Sequence, residues 1–206
     1  MFFQAVIQIA ILIFSVVIHE VSHGYAALRN GDETAKRLGR LTLNPIKHLD
    51  PFGSVILPLI LFISGTGVMF GWAKPVPYNE YNLKNRKRGT IEVALAGIAS
   101  NILIAGFFSV LIRLIYMGIL DLPYNIVGVF SLIVFTNLLL AVFNLIPIPP
   151  LDGYRFLSAI LPYKYEMKIR QIEQYSIFLV VLFIVFGWQI ISPAVSFLFT
   201  FFTGLS

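Results

Sequence analysis

The sequence predicts an all-α integral membrane protein, a polytopic helix bundle with small β or re-entrant elements beside its functional site. Three observations carry that prediction. The 206 residues are 58% hydrophobic and 12% charged, with a mean hydropathy of +0.85, whereas soluble domains are roughly half apolar and a quarter charged. The apolar residues fall into runs long enough to span a hydrocarbon core of roughly 30 Å. The 15 Lys and Arg gather between those runs, which is the pattern of a chain threaded through a bilayer and facing anionic lipid, not of a nucleic-acid binder. The length suits a single domain over 1–206 with no appended soluble module. With no cysteine in the chain, a disulfide framework and a thiolate metal site are both excluded, so any metal is held by nitrogen and oxygen.

The first crossing is predicted over 2–28. It lacks a basic leader and a small-residue cleavage site, so it is expected to stay in the mature protein. Inside it lies His19-Glu20-Val21-Ser22-His23. On a helix, positions i and i+4 share a face, so His19 and His23 can offer two imidazole nitrogens to one metal ion. Glu20 sits beside them as a candidate general base, taking a proton from the attacking water and returning it to a leaving amine. Such a pair is often just two polar residues on a solvated face. Here Phe2 to Val17 is almost wholly apolar, and ionisable groups at membrane depth are costly and usually functional.

Arg29-Asn30-Gly31-Asp32 reads as a helix stop, and the alternation that ends Lys36 to Leu43 predicts a short strand. The turn-rich loop Asn44 to Gly53 holds His48 and Asp50; both are possible ligands, but local hydrogen bonding or capping is the better reading beside two prolines. Residues 53–70 are apolar but interrupted by Pro58, Gly65 and Gly67, which predicts a re-entrant segment or hairpin. Gly71 to Asn79 reads as extended, because Pro75 and Pro77 block helix. The next crossing is predicted over 90–118. Its Ala96, Gly97, Ala99 and Ser100 allow close helix approach, and Asn101 needs a partner, either a neighbouring helix or a bound substrate backbone.

A further crossing over 125–146 breaks at Ile146-Pro147-Ile148-Pro149-Pro150-Leu151-Asp152-Gly153. Irregular backbone at membrane depth survives only where it lines a cavity or is buried in protein. Asp152 is delivered there, either as a helix cap or as the oxygen ligand that completes a His, His, Asp set with water in the fourth position. A short helix over 154–161, a surface helix around Lys164 to Ile172 and a last crossing over 175–202, bent near Gly187 and Pro193, complete the expectation.

The motifs His19 to His23, Ala96-Gly97 to Asn101, and Asn144-Leu145-Ile146-Pro147 through Leu151-Asp152-Gly153 resemble the three core motifs of the site-2 proteases, intramembrane zinc metalloproteases. The resemblance covers most of the chain, including the Asn44-Pro45 loop and the Gly71 to Asn79 stretch of compact bacterial members. It implies one zinc per chain on His19, His23 and Asp152, Glu20 as catalytic base, and Asn144 positioning substrate or stabilising the oxyanion. It also implies transmembrane proteins as substrates. Departures are Gly97-Ile98 where the family has Gly-Pro, and no PDZ insertion or C-terminal CBS pair. A divalent-metal transporter and a non-catalytic membrane adaptor are the alternatives, the first because it too needs intramembrane histidines and carboxylates.

If His23 and Asp152 share one ion, two crossings separate them, and 53–70 does not add a third. All Lys and Arg except Arg113 then fall on one face, which the positive-inside rule makes cytoplasmic, in a plasma or inner membrane. Leu41 to Asn44 or Trp72 to Asn79 are expected to offer an edge to an unwound substrate, with Val76 as a contact. Asn101 is a second candidate substrate contact.

Overall fold

The computed structural model describes residues 2–56, 63, 73–165 and 171–205. Helix α1 (Phe2–Arg29) is followed by a single turn, α2 (Thr34–Arg37), and by irregular chain with 3₁₀ turns at Pro45–His48 and Glu80–Asn82 and a π-helical turn at Pro51–Ile56. Then come α3 (Arg86–Tyr116), α4 (Asn125–Asn144), α5 (Asp152–Ile160), α6 (Ser176–Phe186) and α7 (Trp188–Thr203). Helices α1, α3 and α4 are each long and apolar enough to cross a membrane, and the α6–α7 pair, bent by 65°, makes up to four spans. The chain is a polytopic helical membrane protein.

Helix α3 is the central element, packed between α1 and α4. Its contact with α4 and α7 buries Ala105, Ile112, Val127, Val134, Leu138, Ile191 and Val195. The ends of the helices are fixed by recognisable local chemistry. Helix α1 stops where Gly31 takes φ +105°, so that Gly31 N–H donates to Leu28 O and Asp32 N–H to Ala27 O, the Schellman arrangement that glycine permits. Helix α3 starts at Arg86 because the Asn85 side chain accepts from Arg88 N–H, which sets the start four residues before the predicted one. At its far end, Arg113 donates to the carbonyls of Phe201 and Phe202 at 2.7 Å, satisfying the C-terminus of α7.

The loops at the opposite end form one polar layer. Asp32 is fully buried and accepts from Thr34 N–H and Oγ1, Asn79 N–H and Asn82 Nδ2. Arg40 donates to the carbonyls of Lys74 and Pro75, and Lys74 N–H donates to His48 O at 2.8 Å. The chain on either side of 49–73 is thereby joined on one face.

Burial pushes the Asp32 carboxyl up, but the donors on Thr34, Asn82 and Asn79 outweigh it and hold the group below the usual carboxylate range. A carboxyl whose folded pKa is depressed contributes stability that is present above its unfolded value of about 3.9 and is lost as pH falls through the lower folded value. Asp32→Asn is therefore expected to lower the thermal midpoint at pH 7, with a cost of about 2–3 kcal/mol. The gap from wild type should close progressively below about pH 4; a gap independent of pH would show that the charge contributes nothing.

Two expectations need correction. The predicted strand ending at Leu43 is absent, and among the described residues there is no strand at all. Lys36 and Arg37 belong to α2, and the rest of the segment makes local bonds instead: Arg40 N–H to Ala35 O, Asn44 N–H to Thr42 Oγ1, and His48 Nε2 to Thr42 O. A few alternating residues make a strand only if a second strand accepts them. Second, the last crossing is two helices, broken at Gly187, whereas Pro193 sits inside a continuous α7. Most of 53–70, Trp72 and the middle of the predicted surface helix (166–170) lie outside the described residues.

Candidate metal centre

Three ligand atoms converge in the space bounded by α1, α3 and α5. His19 Nε2 and His23 Nε2 are 3.0 Å apart, and Asp152 Oδ2 is 3.0 Å from the first and 3.1 Å from the second. The ligand atoms of one tetrahedral ion bound at about 2.0–2.1 Å lie about 3.3 Å apart, so the triangle is close to the size needed. The residues are all buried, at 5%, 5% and 6% exposure. Among the described residues they are the one group of three able to hold a metal ion.

The chemistry of the donors supports the same reading. His23 Nδ1 lies 2.7 Å from Val93 O, a carbonyl that only accepts, so Nδ1 carries a proton and the neutral ring has its Nε2 lone pair free to ligate. His19 Nδ1 is held by Asn101 Oδ1, with the same result. Asp152 Oδ2 is buried and faces both Nε2 atoms. Three ligand atoms thus converge on one point in a buried interior, an arrangement that a shared cation satisfies.

Each ligand is placed by a specific local feature. His19 and His23 are one turn apart on α1. Helix α3 meets them with a face spaced by single turns, Val93, Gly97 and Asn101: two of these positions bind the imidazoles and the middle one has no side chain. A Cβ on Gly97 would sit 2.5 Å from His19 Cε1 and 2.6 Å from His23 Cε1. Asp152 is the first residue of α5, brought in by the break after α4. Gly153 allows that turn, because a Cβ there would collide with the Leu145 and Ile146 carbonyls. Asp152 bonds the imidazoles and does not serve as a helix cap.

Glu20 is bound from outside the helix. Its Oε2 accepts from Val76 N–H at 2.8 Å, and Val76 is buried against the bare face of α1 at Gly24. Val76 therefore lies beside the carboxylate, with its amide engaged by Glu20. Asn101 takes the neighbouring-helix option: it is fully buried and bonded to His19 and, through Nδ2, to Asn137 Oδ1 at 2.8 Å. It has no face for substrate. Asn144, at the end of α4, donates to Leu140 O of its own helix at 3.0 Å. His48 and Asp50 stay out of the centre. His48 bonds Thr42 O, and Asp50 accepts from Gly53 N–H, the local roles that a proline-bounded turn favours.

Asn137, Ser15 and Asp32 were not singled out from the sequence. Asn137 and Ser15 lie in the middle of apolar crossings, and the rule that flagged Asn101, a polar side chain at membrane depth requiring a partner, applies equally to them.

Spanning helices and a buried His, His, Asp centre with an adjacent carboxylate together define a membrane protein of the metallopeptidase type. Comparison with known proteins agrees. Residues 121–187 match the model of peptidase family M50. The chain is 40% identical over 189 residues to a protein of Bacillus subtilis (strain 168) named "Putative zinc metalloprotease YwhC", covering 88% of this chain and 82% of that one. Similarity extends to proteins named Rip2, with the same description: 33% identity in Mycobacterium tuberculosis (strain H37Rv) and 30% in Mycolicibacterium smegmatis, each covering 87% of this chain and 67% of the relative. No solved structure matches. The chain belongs to peptidase family M50, in accord with the likeness of its motifs to the site-2 proteases.

Proposed function

We propose that this chain is a zinc-dependent intramembrane endopeptidase that hydrolyses peptide bonds in transmembrane segments of other membrane proteins. The observation that carries the proposal is the buried His19, His23 and Asp152 triangle next to Glu20 on a helix of crossing length. A zinc ion held by these residues supplies Lewis acidity, polarising the scissile carbonyl and bringing the pKa of water to about 7. The remaining chemistry belongs to the chain. Glu20 takes the proton from the attacking water and passes it to the leaving amine. Asn144 turns from Leu140 O toward the substrate and helps to position it or to stabilise the developing oxyanion.

Substrate geometry is the harder requirement. A transmembrane helix satisfies its amides internally, so the scissile stretch must unwind before water can attack. The extended segment 73–79 lies along the active side of α1, pinned at Lys74, Pro75, Val76 and Asn79. It shares a cavity with the helix break and α5, through Tyr78, Pro149, Pro150, Tyr154 and Arg155. Backbone pairing of an unwound substrate with this segment presents its carbonyl to the centre. The basic residues around the polar loops support a site toward the cytoplasmic side of a plasma or inner membrane. A transport path would need several exchangeable sites, whereas the ligands found lie at one depth.

The proposal is tested with purified protein and transmembrane substrates reconstituted in bilayers. Chelation is expected to remove zinc and cleavage together, and about one equivalent of zinc per chain to restore both. Cleavage that survives complete removal of the metal, or zinc flux into liposomes without cleavage of any substrate, would overturn it.

A further inference from the structure

We infer that Asn137, which touches none of the metal ligands, is a positioning residue that fixes the tautomer of His19 through Asn101. The inference rests on the reading of His19, His23 and Asp152 as a metal centre and extends it to a third helix.

Ile133 O is a main-chain carbonyl and can only accept a hydrogen bond. The Asn137 side chain, one turn further along α4, lies 2.9 Å from it, so its nitrogen must face that carbonyl. The same nitrogen lies 2.9 Å from Ser15 Oγ on α1. The oxygen of Asn137 is then left to face Asn101 on α3, at 2.8 Å. Only the Asn101 nitrogen can donate to it. The Asn101 oxygen therefore faces His19 Nδ1, which must carry a proton, so that the neutral ring presents its Nε2 lone pair toward Asp152 and His23. Each step leaves one permitted orientation for the next group.

Burial is what makes the relay decisive. Asn101 and Asn137 are both at 0% exposure and Ser15 at 4%, so water offers no alternative partner. Reversing either amide would set donor against donor or acceptor against acceptor in an apolar interior. His23 reaches the same tautomer directly, through Val93 O. The two histidines thus have different dependences: His23 relies on main chain alone, and His19 on two side-chain amides from two other helices. Without the relay, His19 is free to take its proton at Nε2, where it would block the ligand position.

The test uses the full chain in detergent or nanodiscs with nitrogen-15-labelled histidine. The metal-free wild type is expected to show both His19 and His23 protonated at Nδ1. In Asn137→Leu, His19 should become a mixture of tautomers while His23 stays unchanged, an internal control for the fold. Zinc affinity, read by competition with a chromophoric chelator, should fall about 10- to 100-fold, the usual effect of losing an orienting partner. Asn137→Asp, held neutral by its apolar surroundings, donates its hydroxyl to Ile133 O and retains an acceptor toward Asn101, and it should keep the tautomer and most of the affinity. Should Asn137→Leu fail to fold, Asn137→Ala carries the same expectation without added bulk. A folded Leu or Ala variant that keeps His19 protonated at Nδ1, with wild-type zinc affinity, would overturn the relay. Absence of zinc binding by the wild type would instead overturn the metal reading on which it rests.

Discussion

Glu20→Gln is expected to abolish peptide hydrolysis and leave the metal in place. The substitution keeps the length of the side chain and an oxygen able to accept from Val76 N–H, so the 2.8 Å contact that orients the group survives. It removes the one property a base needs, a carboxylate that can hold a proton. None of the ligand atoms belongs to Glu20, so zinc content should match wild type at about one per chain. General acid–base catalysis contributes about 10²- to 10⁴-fold, and Glu20 is assigned both proton transfers, so turnover should fall to the upper end of that range or beyond. The measurement is zinc content and single-turnover cleavage on the same preparations. Retained metal with lost cleavage identifies the base; cleavage within tenfold of wild type means that another group moves the proton.

The parts of the centre that follow local rules were legible in the sequence. His19 and His23 were paired by the period of a helix, and Asp152 by a proline-rich break that a bilayer tolerates only around a buried site. Both statements concern residues close together in the chain. What the sequence did not disclose depends on how helices face each other. Asn101 was seen to need a partner, yet the choice between a substrate and Asn137 is made by the approach of α4 to α3, which no single-helix period encodes. The strand expected up to Leu43 failed for a related reason. Alternation describes the faces of one segment, and a strand also requires another segment in register. In the sequence Asp32 reads simply as part of a helix stop, because its role as a tie between the first loop and Asn79 and Asn82 spans residues 32–82.

Gly97→Ala should have a large effect of the opposite sign to its local one. In the interior of a helix, alanine is favoured over glycine by roughly 0.5–1 kcal/mol, so α3 considered alone would gain. The added methyl, however, would lie 2.5–2.6 Å from atoms of both His19 and His23, far inside van der Waals contact. The rings cannot simply step back. Their Nδ1 atoms are bonded to Asn101 and to Val93 O, one turn either side of Gly97 on the same helix, so retreat from the methyl breaks the bonds that expose Nε2. If α1 and α3 separate instead, both bonds lengthen together and the ligand triangle opens. Zinc affinity is expected to fall by at least the roughly 100-fold at the top of the range for a single lost orienting contact, since two are affected. Gly106→Ala, on the same helix, supplies the comparison: its methyl would meet Phe202 Cε1 at 3.6 Å, an ordinary contact, so it should keep wild-type affinity and melt slightly higher. Equal zinc affinity in the two variants would mean that α3 does not template the histidines, and that the face formed by Val93, Gly97 and Asn101 has no part in the centre.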